Sequence, residues 1–153
     1  MNVSASQHTL IIGIGNPLRS DDGLGWAVAT QLSQDAPPDC TIRTVHQLTP
    51  ELAQEMAGAD CVIMIDASRE GVPGELHIRP IAPSAHPGAV GTHHTTPEEL
   101  AVLTTAVYGQ CPPVVVVTMT GADFRIGEHL SAIIVQKLPL VSMAVRQVCV
   151  NIF

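Results

Sequence analysis

Apolar and polar residues follow two rhythms along this chain. Leu10 to Ile14 is an apolar run broken only by Gly13, and the runs at 61–65 and 112–119 have the same texture. Runs without polar alternation suit strands buried on both faces, as in a parallel sheet covered by helices. Between them, apolar residues recur at helical spacing: Leu24, Val28 and Leu32; Leu52 and Met56; Leu100, Leu103, Ala106 and Val107; then Ile134, Leu138, Val141, Val145 and Val148. Strand and helix patterns alternate without internal repeats. They predict one α/β domain over residues 1–153, a three-layer sandwich whose mostly parallel twisted sheet of about five strands carries helices on both faces.

The polar residues between these segments sharpen the boundaries. Weaker strand patterns lie at 40–45 and at 75–79, the second suited to a sheet edge and preceded by the turn Gly71-Val72-Pro73-Gly74. Thr49 and Pro50 place a cap and a first helical position ahead of a short helix running to about Gly58. Thr96, Pro97 and Glu99 form the pattern of a capping box, and Gly109 ends that helix. Residues 80–91 hold three prolines and two glycines and predict an irregular loop. The last helix begins near Ser131, and Pro139 is expected to kink or divide it.

Composition narrows the function. The chain has 153 residues, 46% of them hydrophobic and 14% charged, with a net charge of −7. An acidic chain without a basic stripe is poorly suited to phosphate backbones, so no nucleic-acid partner is expected. The first residues lack the basic start and apolar core of a signal peptide, and no apolar run is expected to approach the roughly 20 residues of a membrane helix. A cytoplasmic protein with no membrane partner is expected. Cys40, Cys61, Cys111 and Cys149 are widely spaced, without a C-x-x-C pair, and read as small core residues in a reducing compartment.

The chemistry is concentrated in the first strand-to-helix connection, Gly13-Ile14-Gly15-Asn16-Pro17-Leu18-Arg19-Ser20-Asp21-Asp22-Gly23-Leu24-Gly25. Gly13 and Gly15 suggest a dinucleotide fingerprint, but Leu18 stands where its third glycine belongs and the helix starts too late. Asp21 reads as the N-cap of the following helix. Asp22, in its first turn, is placed to point back to the loop mouth, where the helix amino terminus favours an ionised carboxylate. Asp66 ends a buried strand, where an unneeded charge is costly. His93 and His94 precede a helix start; a solvated or capping role is the alternative for each. Connections from separate strands can converge at one sheet edge, bringing Asp22, Asp66 and one histidine together. Such a set suits a divalent metal with open positions, and the two carboxylates equally suit a proton-sharing dyad that activates water. There is no G-x-S-x-G elbow.

The first connection resembles the G-x-G-N-x-x-x-x-D-D/E-x-x-G signature of the hydrogenase maturation proteases. Ile65-Asp66-Ala67 resembles that family's second acidic strand end, and His93 its histidine before the third helix. The resemblance covers nearly the whole chain. It implies an endopeptidase that removes the carboxyl-terminal extension of a nickel-iron hydrogenase large-subunit precursor after nickel insertion, in a family also classed with aspartic-type endopeptidases. It maps the metal-contacting residues to Asp22, Asp66 and His93, with the nickel contributed by the substrate and other divalent metals also fitting; Asp22 and Asp66 are the catalytic candidates. Two departures stand out. The family often shows S-x-H before the third helix, where this chain has Gly91-Thr92-His93-His94, and many members carry an Asp-Gly-Gly-Thr-like segment where it has His46-Gln47-Leu48-Thr49. His46 and Gln47 are accordingly expected beside the site, in substrate recognition. The expected assembly is a monomer meeting the precursor one to one. The alternative is a non-enzymatic metal-binding accessory protein in hydrogenase maturation.

Overall fold

In the computed structural model, which describes residues 6–82 and 95–151, five strands form one sheet. They are β1 (Thr9–Ile14), β2 (Cys40–Val45), β3 (Cys61–Ser68), β4 (Leu76–Pro80) and β5 (Val114–Thr120), in the spatial order β2-β1-β3-β5-β4. The pairings β1 with β2, β1 with β3, and β3 with β5 are parallel; β4 lies antiparallel on β5 at the edge. The helices are α1 (Leu24–Gln34), α2 (Leu52–Ala57), α3 (Pro97–Tyr108) and α4 (Ala132–Asn151).

The unalternated apolar runs behave as their pattern requires, because each strand feeds two cores. Leu10, Ile12, Val62 and Met64 face α2 and α3, together with Leu52, Met56 and Leu100. Ile11, Ile63, Ile65 and Val117 face α1 and α4, together with Leu24, Val28, Ile134 and Val141. This is the expected three-layer α/β sandwich. From β1 the chain runs to β2 on one side, whereas from β3 it runs towards β4 and β5 on the other. The carboxyl ends of β1 and β3 therefore flank a topological switch point, where open α/β sheets form a ligand crevice.

Several boundaries and faces differ from the sequence reading. Helix α2 begins at Leu52 because Thr49 and Pro50 close tight turns through their carbonyls to Leu52 and Ala53 N–H instead of opening a regular helix. Strand β5 begins at Val114, since neither Pro112 nor Pro113 can donate to a ladder. The capping box of α3 forms as expected, and Gly109 ends the helix at φ 82°. Its buried face, however, is Leu100, Ala101 and Thr104, with Leu103 packed beside it, while Ala106 and Val107 face outward. Thr104 can be buried because its hydroxyl donates to the Leu100 carbonyl at 2.7 Å.

Helix α4 runs unbroken through Pro139. The carbonyl that Pro139 leaves without a partner belongs to Val135, on the same exposed side, where water can satisfy it. This helix is also long and apolar enough, by length and composition, to cross a membrane, contrary to the expectation that no segment would be. It packs here on β5 and α1 through Ile134, Val141 and Val145, and Val135, Met143 and Val150 stay exposed on its outer side.

The α1 layer sits unusually close to the sheet. A Cβ on Gly25 would lie 2.5 Å from the Ile65 carbonyl oxygen and 2.6 Å from Ile14 backbone atoms. Glycine is thus required by backbone proximity near the helix start. Gly25→Ala would ordinarily help a helix by up to about 1 kcal/mol. It is expected instead to lower unfolding free energy by about 3 kcal/mol through overpacking, measurable by urea denaturation; a neutral or stabilising result would contradict the close approach.

Candidate active site

The site begins where β1 stops. Gly15 adopts φ 138°, and a Cβ there would stand 1.9 Å from the Asp22 carbonyl oxygen. The loop can therefore fold back directly onto the segment that bears Asp22. That segment is a short 3-10 turn, Ser20–Gly23, which precedes α1, so Asp22 does not lie in the first α-helical turn. Asp22 Oδ2 accepts the Asn16 N–H at 2.8 Å, which ties the carboxylate back across the loop.

Asp66 approaches from the neighbouring strand. It is not the last residue of β3, which continues to Ser68, and it stands in register with Thr118 of β5. Its Oδ1 accepts the Ala67 N–H at 2.8 Å. Burial pushes its carboxyl up to about 7; the Ala67 N–H opposes the rise and the negative charge of Asp22 adds to it. Asp22 Oδ1 and Asp66 Oδ2 accept no hydrogen bond among the described residues, so each carboxyl keeps one oxygen without a donor.

Asp22 and Asp66 line one cavity of about 540 Å³, together with His46 and Gln47. His46 follows β2 and lies edge-on to Trp26, with ring centroids 5.2 Å apart. Trp26 is itself held by donation from its Nε1 to the Val45 carbonyl at 3.0 Å. Helix α1 thus positions the histidine through the indole, a contact that sequence spacing did not suggest. His93 and His94 lie outside the described residues. Among the described residues, no three His, Cys, Asp or Glu side chains gather as a metal site; the described part of the site supplies the carboxylate pair. The cysteines are free thiols away from this cavity, and burial pushes Cys61 up to about 11 and Cys149 to about 12, far from thiolate chemistry.

Asp21 does not cap the following helix. Gly23 occupies the N-cap of α1 and makes no side-chain cap bond. Asp21 is instead fully buried, and its carboxylate is a distant anchor. Oδ2 accepts the N–H of Ala122 at 2.7 Å, the N–H of Asp123 at 3.0 Å and the Ser131 hydroxyl at 2.7 Å, while Oδ1 accepts the Ser131 N–H at 2.7 Å. It ties the loop after β5 to the loop after β1. A Cβ on Gly121 would come within 2.9 Å of the Asp21 Cβ, so this junction too needs a glycine.

Two measurements follow from these environments. Asp21→Asn places an amide donor among four donors and is expected to cost about 3 kcal/mol of stability by urea unfolding. For Asp66, the unfolded chain releases its proton near 3.8 while the folded chain holds it to about 7. Its contribution to stability is therefore present at low pH and lost as pH rises through that window. Carboxyl carbon NMR should show a midpoint near 7 that falls in Asp22→Asn, and Asp66→Asn should flatten the decline in stability. An ordinary midpoint for Asp66 would contradict the paired, buried geometry.

No protein-family model and no curated protein matches the sequence. Solved structures do match. The NiFe hydrogenase maturation protease HycI from Thermococcus kodakarensis KOD1 aligns with a TM-score of 0.75 and 24% identity over 97% of this chain and 96% of that one. A hydrogenase 2 maturation peptidase from a Thaumarchaeota archaeon aligns with a TM-score of 0.72 and 19% identity, over 94% of this chain and 98% of that one. The hydrogenase maturating endopeptidase HybD from E. coli gives 0.68 and 20%, over 90% and 89%. This chain has the fold of the hydrogenase maturation proteases.

Proposed function

We propose that this protein is a hydrogenase maturation protease: an endopeptidase that removes the carboxyl-terminal extension of a nickel-iron hydrogenase large-subunit precursor once nickel is in place. The observation that carries the reading is the convergence of Asp22 and Asp66 on one cavity at the sheet's switch point, within the fold of structures described as maturation proteases. The motif around Asp22 and the strand end at Asp66 supply the same assignment from the sequence.

The donor chemistry fits a divalent ion carried by the substrate. Two carboxyls, each with one oxygen lacking a donor among the described residues, repel when both are ionised, and a cation between them relieves that repulsion. His93 is the proposed third ligand, with His94 its neighbour in sequence. A precursor that brings nickel completes the coordination, whereas an empty precursor leaves the two carboxyls without a cation to share. Discrimination thus lies in the carboxylate pair. The same pair supplies the proposed chemistry: burial pushes the Asp66 carboxyl up to about 7 while the site is metal-free, the arriving cation draws it down, and the ionised carboxylate is then placed to accept a proton from an attacking water. His46 and Gln47, on the cavity wall, are assigned to recognition of the precursor. The enzyme is read as a cytoplasmic monomer.

The reading is tested by incubating the protein with nickel-loaded and nickel-free precursor and weighing the products. Only the nickel-loaded precursor should lose its carboxyl-terminal segment, and Asp22→Ala or Asp66→Ala should slow processing about 100-fold or more. Equal cleavage of both precursors would contradict nickel discrimination. Full processing by Asp22→Ala would remove Asp22 from the site. An unchanged precursor mass with metal bound would instead identify a non-enzymatic metal-binding accessory protein.

A further inference from the structure

The chain carries only seven Lys and Arg residues against fourteen Asp and Glu, yet Arg19, Arg69 and Arg79 all line the cavity that holds Asp22 and Asp66. Arg79 is accounted for by its ion pair with Glu98. The other two are not. The remaining arginine ion pairs join Arg43 to Glu55, Arg125 to Asp123 and Arg146 to Asp35. Every one of the fourteen carboxylate side chains belongs to a described residue, and none pairs with Arg19 or Arg69. Residues 83–94, which follow β4, contain no Asp or Glu that could reach them. Two cations without an acidic side-chain partner, in a chain of net charge −7, share a wall with the site.

The loop that Asp21 anchors meets the exposed Arg69 through its guanidinium and the exposed Arg19 through its backbone. The guanidinium of Arg69 lies 4.1 Å from the centroid of the Phe124 ring. A contact with an aromatic ring uses none of the guanidinium N–H donors, and no hydrogen bond from them to another described residue is made, so they remain available to a carboxylate. Phe124 follows Ala122 and Asp123, whose N–H groups Asp21 receives. Arg19 forms a bridge with Gly127 of the same loop; Gly127 donates its N–H to the Leu18 carbonyl, and Ser20 donates to the Gly127 carbonyl. The exposed Leu18 and Ile126 flank this bridge. One buried carboxylate therefore fixes the platform for two arginines on separate strand-end loops.

We propose that Arg19 and Arg69 form a clamp at the cavity rim that binds a carboxylate of the substrate polypeptide. The proposal rests on the processing-endopeptidase reading for what the ligand belongs to, but its chemistry stands on the two arginines. The carboxylate comes either from an acidic side chain beside the cut or from a free chain end. Through it the substrate is held by an anion at the rim while its metal is met by anions within, so the two charge signs orient the polypeptide.

The test is an NMR titration of the arginine Nε–Hε signals of the full-length protein. Three probes are tripeptides: acetyl-Gly-Glu-Gly-amide, its glutamine counterpart, and acetyl-triglycine with a free carboxyl end; inorganic phosphate is the fourth. The Arg19 and Arg69 signals should move saturably with at least one carboxylate peptide and stay still with the glutamine peptide, while the Arg43 signal, already paired with Glu55, stays still throughout. Which carboxylate peptide binds more tightly identifies the source. Arg19→Gln and Arg69→Gln should each weaken that binding about tenfold. An equal response to the neutral peptide, a response to phosphate alone, or silence at both arginines would overturn the clamp. If a variant fails to fold, the wild-type titration still decides. No turnover is required, so failure of the clamp and failure of the endopeptidase reading are separate results.

Discussion

Two carboxylates, Asp22 and Asp66, are brought into each other's field at the edge of the sheet, and much of the surrounding structure keeps them there. Like charges left to themselves separate, so their proximity needs structural force behind it. It comes from backbone packing. Gly15 lets the first loop touch the Asp22 backbone, and Gly25 lets α1 lie against the backbones of β1 and β3. Asp66 is fixed independently by the β3 ladder with β5. Burial, with the nearby Asp22 charge as a smaller addition, pushes the Asp66 carboxyl up to about 7. A group poised that way can exchange a proton or receive a cation, and both abilities suit a metal-gated hydrolysis.

Neighbouring residues of the same type have opposite tasks. Asp21 is fully buried and has every oxygen engaged, whereas Asp22 is partly exposed and keeps an oxygen free. Asp21 joins the loop after β1 to the loop after β5, and so supports the wall that carries Phe124, Gly127 and the two unpaired arginines. The acidic pair thus couples the shape of the rim to the placement of the charge inside it. Trp26 performs a similar service for His46, transmitting the position of α1 to the far side of the cavity.

Much of this was legible along the sequence because it rests on local pattern. Continuous apolar runs announced two-faced strands, and Thr96, Pro97 and Glu99 announced the capping box that forms. The convergence of Asp22 and Asp66 on one crevice also followed from placing Asp22 in the connection after one strand and Asp66 at the end of another in a parallel sheet. What escaped detection depends on distant partners. The donors that define Asp21 lie 101 to 110 residues away, so a neighbouring-helix role was the natural local reading. Thr104 looks like a surface residue until its hydroxyl is seen bonded within the helix. Arg19 and Arg69 carry no periodic signal at all, and only the fold shows that they share a cavity. His93, the proposed third ligand, and His94 lie outside the described residues.

The most direct measurement of the central claim is the affinity for Ni²⁺ of the wild-type protein, Asp22→Asn and Asp66→Asn, by calorimetry at pH 6 and pH 8. If the paired carboxyls form the metal-reading surface, wild-type affinity rises about tenfold between the two pH values as Asp66 gives up its proton, and each substitution weakens binding at pH 8 about tenfold or more. Equal affinity in all three proteins, at either pH, would contradict the account.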